Sequence, residues 1–211
     1  MVSTKTKALF GLILIIALFV LTSYFVKQNI DIFKELIGNS QLGLLIWFLF
    51  TVIAVVIAPI TNMFLMPLVS NVYGWIETAI VTLAAWSIGS FIVFYLCRKY
   101  GVNLVKKLVS LNHIYKIESR IPKENMFLNL LFLRMIVPVE LLSYAVGLFS
   151  KVNFRTYAIT TVLGLIPIAF LFSYIGVISL QYQILGGITI ILLIILIHLL
   201  RELWGISKKK I

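Results

Sequence analysis

Long runs without a charged side chain decide what this chain can become. Ala8–Val26 holds 19 such residues, Leu42–Ile76 holds 35 and Tyr157–Leu200 holds 44. A helix that crosses a bilayer needs about 20 apolar residues, so runs of this length read as membrane segments and not as core helices of a soluble domain. Composition agrees, with 62% of the 211 residues hydrophobic. The first run follows Lys5 and Lys7 as a signal peptide would. It lacks an Ala-x-Ala-like cleavage site before Lys27 and is read as a retained helix. The expected fold class is an all-α polytopic membrane protein, a single membrane domain over residues 1–211.

Proline and polar residues divide the second run. Pro59, Thr61, Asn62, Pro67, Ser70 and Asn71 fall within 13 residues, poor material for a straight helix facing lipid. Backbone freed by proline must be satisfied inside protein or against a water-filled cavity. Residues 42–73 are therefore expected to form a re-entrant hairpin: Leu42–Ile57 enters, Ala58–Pro59 breaks and Met63–Tyr73 returns. Met126–Phe149 reads as a second hairpin, 126–149, broken at Pro138. Between them, Trp75–Cys97 reads as a full span, and Arg98–Asn125 as a basic amphipathic helix on the membrane surface. Thr156–Leu180 is expected to span with a kink at Pro167. Gln181–Gln183 then forms a minimal outer loop, and 184–203 is the last span. Lys27–Gln41 is amphipathic and is placed at the interface, with a turn at Asn39-Ser40.

Arg134 and Glu140 lie in the second hairpin, on either side of Pro138. A charge at bilayer depth costs roughly 2.5–3.5 kcal/mol on insertion scales and survives facing a bundle interior or a wet cavity. Two readings stand: an ion pair that pins the hairpin, or a polar site inside the membrane. The break between the two charges favours the second.

Orientation supports re-entrance. With the N-terminus cytoplasmic and each hairpin returning to its own side, 15 of the 18 Lys and Arg residues lie inside. Lys27 and Lys34 lie outside, and Arg134 is buried. A full crossing by one hairpin alone would scatter that bias. Both halves also run in the same order: broken hairpin, polar link, then a span with glycines twelve residues apart, Gly89/Gly101 and Gly164/Gly176. One hairpin opens outward and the other inward, so the halves form an inverted repeat, an architecture whose site lies at the repeat interface. Pro59, Pro67, Pro138, Gly147, Gly164 and Pro167 are the expected hairpin and helix breaks.

Several chemistries are excluded. The net charge of +11 is spread at the ends of apolar runs, which indicates lipid headgroups and not nucleic acid. Cys97 is the only cysteine, and His113 and His198 have no second ligand nearby, so neither a metal nor any other cofactor is expected. Asp31 is the only aspartate, and no serine sits in a Gly-x-Ser-x-Gly setting, so the chain is expected not to be an enzyme.

Two stretches carry a family resemblance. APITNMFLMPLVSNVYG (58–74), with FYLCRKYG (94–101), is similar to the first conserved stretch of the DedA/VTT superfamily. FLRMIVPVELLSYAVGLFSKVNFRTYAITTVLGLIPIAFLFSYIG (132–176) resembles the second: Phe132, Arg134, Pro138, Tyr144, Gly147, Thr161, Gly164, Pro167 and Gly176 occupy its pattern. The likeness covers residues 42–180, and its Ser-Tyr-x-x-Gly form points to the SNARE-associated Golgi protein branch. What the resemblance implies is lipid movement between leaflets, by a phospholipid scramblase or a polyprenyl-phosphate flippase-like transporter. Arg134 would attract the lipid phosphate with Glu140 orienting it, and Asn62, Ser70, Asn71, Ser143 and Tyr144 would line the path. The first hairpin has Thr61-Asn62 and Ser70-Asn71 where several bacterial members carry glycines and an acid, which leaves passive scrambling open beside proton coupling. The expected partners are phosphate-bearing membrane lipids and a second copy of the chain in a homo-oligomer. The alternative is a membrane-organising protein that moves no substrate. Small size and sparse targeting signals point to a prokaryotic plasma membrane, with both termini cytoplasmic.

Overall fold

The computed structural model describes residues 4–37, 41–57, 62–108 and 125–192, and among these the chain is helical without a strand. In chain order the helices are α1 (Thr4–Gln28), α2 (Ile30–Ile37), α3 (Gln41–Val56), α4 (Met66–Tyr73), α5 (Trp75–Leu108), α6 (Met126–Ile136), α7 (Val139–Phe149) and α8 (Phe154–Val177). A last described helix, α9, covers Leu180–Leu192, and a 3-10 turn, Met63–Leu65, leads into α4. Among the described residues two helices, Trp75–Asn103 within α5 and Phe154–Val177, are long and apolar enough to cross a membrane.

The expected breaks fall where proline chemistry puts them. A residue before proline is pushed out of the helical region, and proline itself has no N–H to give. Val137 is accordingly extended (φ −99°, ψ 135°), Pro138 follows at φ −50°, ψ 136°, and α7 begins at Val139. In the first half, α3 stops at Val56 and helix resumes at Met63; Pro59 and Thr61 lie outside the described residues. Pro67 breaks nothing, since it sits in the first turn of α4, where a missing N–H costs nothing. Pro167 lies inside α8. The span from Trp75 gives way at Gly101, whose φ of 61° and ψ of −156° part the helix near the expected end of the crossing. The surface helix expected beyond it is described only to Leu108, and Asn39-Ser40, His113 and His198 also lie outside the described residues.

Two expectations need correction. Gln181–Gln183 is no loop: the chain leaves α8 at Ile178 and Ser179, and α9 already contains all three residues. Ser179 O accepts from the N–H groups of Tyr182 and Gln183 at 3.1 and 3.2 Å, so the helix restarts at once. Gly147 and Gly164 interrupt no helix either; they permit close approach. A Cβ on Gly147 would stand 2.7 Å from Cys97 Cβ on α5, and one on Gly164 would stand 2.6 Å from Arg134 Cβ.

Packing follows a crossed pattern. α3 lies along α5 and α6 lies along α8, while α4 packs on α8 and α7 on α5; α5 and α8 pack on each other. The glycine contacts match across the two halves. A Cβ on Gly89 would meet Val55 Cβ at 2.8 Å and Val52 O at 3.2 Å. A Cβ on Gly164 would meet Arg134 Cβ at 2.6 Å and Leu131 O at 3.2 Å. α1 lies against α4 and the 3-10 turn.

Candidate site around a buried arginine

Arg134 ends α6 one turn before the break, and its side chain is 2% exposed. The guanidinium reaches across the break instead of into solvent. Nη1 donates to Val139 O at 3.1 Å and to Ser143 Oγ at 2.9 Å, both on α7. Nη2 donates to Thr161 Oγ1 on α8 at 2.8 Å. Both hydroxyls are prepared to accept. Ser143 Oγ donates to Val139 O at 2.6 Å and Thr161 Oγ1 to Tyr157 O at 2.7 Å, which leaves their lone pairs toward the cation. The guanidinium carbon lies 5.0 Å from the centre of the Tyr157 ring, a cation–π distance. That ring is itself fixed: Tyr157 OH donates to Ser90 O at 3.0 Å, and the ring stacks on Phe94 at 4.3 Å.

Each of these partners is neutral. Among the described residues no carboxylate lies within ion-pair distance of Arg134, so the ion-pair reading of Arg134 and Glu140 is not what the structure shows. A guanidinium has five N–H donors and stays charged at any physiological pH. Three are used here, which leaves two N–H groups, and the carboxylate in the same cavity, Glu140, makes no direct ion-pair contact with the charge.

A cavity of about 390 Å³ opens beside this group. Its walls include Met63 from the 3-10 turn, Ile15 from α1, Trp86 from α5 and Phe172 from α8, together with the continuous stretch Arg134–Leu141 around the break. Among the described residues Arg134 and Glu140 are the only ionisable ones in its lining; the other side chains there are apolar save for the Trp86 indole N–H. Glu140 is half-buried in the first turn of α7, where the helix dipole favours an anion.

The other residues singled out from the sequence are placed as follows. Ser143 belongs to the arginine site. Tyr144 is buried and donates its hydroxyl to Val56 O, so it caps the end of α3. Asn62 is buried and donates to Thr51 Oγ1 at 2.7 Å. Asn71 donates to Pro67 O at 2.7 Å and Gly176 O at 2.9 Å. Ser70 is buried, and its hydroxyl has no partner among the described residues. Of this set, only Arg134 and Glu140 line the cavity. Sequence reasoning did not single out Thr161 or Tyr157 as partners of Arg134. Their i, i+4 spacing on one helix face, in a stretch already carrying Gly164 and Pro167, was the available signal.

A second polar cluster went unread. Ser23 and Lys27 of α1 and Gln183 of α9 converge with Asn71 on the last carbonyls of α8, Gly176 to Ile178. The misplaced loop at Gln181–Gln183 hid it.

Comparison with known proteins gives one family result: a model described as the VTT domain matches residues 58–178. No curated protein and no solved structure matches the chain.

Proposed function

Because the chain belongs to the VTT-domain family, which covers the DedA and SNARE-associated Golgi proteins, we propose that it moves phosphate-bearing lipids between the leaflets of a membrane. The observation that carries this reading is Arg134: a buried cation with neutral partners and two spare N–H groups, standing in the wall of an apolar cavity at a helix break. A site of that kind is complementary to an anion. A guanidinium fork suits two oxygens of one phosphate, while the apolar walls suit a ligand that keeps its tails in hydrocarbon.

In this reading the two broken segments are re-entrant hairpins related as an inverted repeat, with both termini cytoplasmic. The crossed packing supports it: each half lays its first arm on its own span and its second arm on the other half's span. The matching Gly89 and Gly164 contacts support it further. Val55 then stands in the first half where Arg134 stands in the second, so the cation is supplied once, at the junction. A headgroup entering the cavity meets Arg134, whose hold on Val139, Ser143 and Thr161 keeps the guanidinium in place during passage. Glu140 lines the same cavity and weakens phosphate binding by repulsion, which favours release. Membrane lipids are the partners on this reading, and no chemical step is asked of the protein.

Leaflet exchange in liposomes tests the proposal. A headgroup-labelled phospholipid and an undecaprenyl-phosphate analogue are each followed with a membrane-impermeant quencher. Exchange of at least one well above the rate of protein-free vesicles is expected, with Arg134→Lys reducing it severalfold because lysine keeps charge and loses the fork. Exchange at the protein-free rate for both lipids, in folded protein, would overturn transport and leave a membrane-organising role.

A further inference from the structure

Ile15 gives α1 a place in the wall of the cavity that holds Arg134 and Glu140. Every other residue of that wall lies within 58–178, the segment matched by the VTT domain. Among the described residues, α1 is thus the one part of the wall added from outside the family core. Its attachment is uneven. Among the described residues, the side-chain hydrogen bonds that tie α1 to other elements all involve Ser23 and Lys27. Ser23 Oγ donates to Gly176 O at 3.4 Å; Lys27 Nζ donates to Val177 O at 3.2 Å and to Ile178 O. These are the terminal carbonyls of α8, which lack intrahelical partners and carry the negative end of the dipole, so an ammonium is well matched there. Next to the cavity the contact is apolar: Phe19 packs edge-on against Phe172, with ring centres 6.3 Å apart, and Phe172 also lines the cavity.

α9 belongs with α1. Gln183 donates to Ser23 Oγ at 2.8 Å, and also to Gly176 O and Ile178 O at 3.3 and 3.0 Å. Close backbone approach follows at Gly187, where a Cβ would stand 3.0 Å from Ile16 Cγ2. Both helices join their neighbours through short non-helical links, Asn29 after α1 and Ile178–Ser179 before α9. The polar tie is therefore at one end, the greasy wall is at the cavity, and a break in the backbone flanks each helix.

We infer that α1, carried with α9, is a lateral gate on the cavity, latched by Ser23 and Lys27 to the end of α8. The inference rests on the transport reading above and adds its control point. A volume of about 390 Å³ is at the small end of ligand pockets, which run to about 1,000 Å³. It takes a headgroup but not two acyl chains, so the chains must trail through an opening in the wall. The α6–α7 side, where Met135 and Ile136 are exposed, is fixed in place by Arg134, which donates to backbone and hydroxyls of two elements, α7 and α8. Among the described residues, the contacts that hold α1 beside the cavity are apolar, and lipid tails replace such contacts at little cost because they are as apolar as the side chains they displace.

Two readouts test this, one independent of transport. In a Cys97→Ala background, Ile168→Cys on the cavity wall is labelled with bimane and placed in vesicles of phosphatidylcholine with brominated chains. Loosening the latch with Ser23→Ala/Lys27→Met is expected to raise quenching at least twofold, as chains reach the cavity. In the second arm, Phe19→Cys/Phe172→Cys is bridged by a short reducible bis-thiosulfonate. Bridging is expected to slow lipid exchange at least tenfold, and reduction to restore it in the same folded protein. Equal quenching with and without the latch, or full exchange while α1 is tethered, would overturn the gate. Quenching that follows the latch while no form of the protein exchanges lipid would leave the gate standing and remove the transport reading instead.

Discussion

Arg134 separates two accounts of a buried charge by the partners it chooses. Had it formed an ion pair with Glu140, removing it would leave a buried carboxylate and cost about 3–5 kcal/mol. Its hydrogen bonds go instead to Val139 O, Ser143 and Thr161. The two hydroxyls already donate to carbonyls of their own helices, so loss of the guanidinium strands no donor. Arg134→Met is therefore expected to stay folded, with a stability change under about 2 kcal/mol, since an apolar isostere of similar volume is often tolerated. It is also expected to abolish lipid exchange. Thr161→Val acts in the opposite sense. It keeps the cation and removes an acceptor, at about 1–3 kcal/mol, because a buried charged donor is left unmet. Denaturation in detergent micelles, followed by tryptophan fluorescence, ranks the two. For the same reason the exchange Arg134→Glu/Glu140→Arg should rescue nothing. A swapped protein with wild-type stability would restore the ion-pair account.

At the scale of elements, the two glycine contacts decide how close α3 comes to α5 and α6 to α8. Gly89 admits α3 through Val55, and Gly164 admits α6 through Arg134. A methyl group at either site overlaps a neighbouring Cβ, and overpacking of this kind costs about 1–3 kcal/mol. The functional outcomes are expected to differ. Gly164→Ala pushes α6 away from α8 and lengthens the reach from Arg134 to Thr161, so exchange falls even in protein that remains folded. Gly89→Ala disturbs a contact between apolar groups and lowers stability with a smaller loss of exchange. Thermal unfolding and exchange measured on both variants would show whether the arginine half is the functional one; a Gly89→Ala loss equal to that of Gly164→Ala counts against it.

For the whole molecule, the proposed re-entrance makes a topological demand. Asn29 and Gln181 are exposed at ends of α1 and α9, and Lys99 and Asn153 are exposed near the end of α5 and the start of α8. Single cysteines at Asn29 and Gln181 are expected to react with an impermeant maleimide from outside intact cells. Those at Lys99 and Asn153 should react only after the membrane is opened. Opposite accessibility for Asn29 and Gln181 would mean that one broken segment crosses fully, and the inverted-repeat account would fail with it.

Much of this organisation was legible before any tertiary contact was known. The uncharged runs, the α3 stop ahead of Pro59, the Val137-Pro138 break and the parting at Gly101 all follow from local causes: helix length, a missing N–H and a residue free to take positive φ. The charges at Arg134 and Glu140 marked the candidate site for the same local reason, since a charge in an apolar stretch is costly wherever the chain goes. The partners of Arg134 were not legible. Thr161 lies 27 residues away, and a cation can satisfy its donors with hydroxyls and carbonyls as readily as with the nearest carboxylate. Gln181–Gln183 looked like a loop because polar residues between spans usually face water, yet Gln183 is buried against Ser23, 160 residues earlier. Sequence determined where the helices begin, break and carry charge, because those choices are made within a turn or two of backbone. Which polar groups meet was decided only when α1, α4, α8 and α9 came together, because hydrogen-bond pairing in an apolar interior depends on what packing brings within 3 Å.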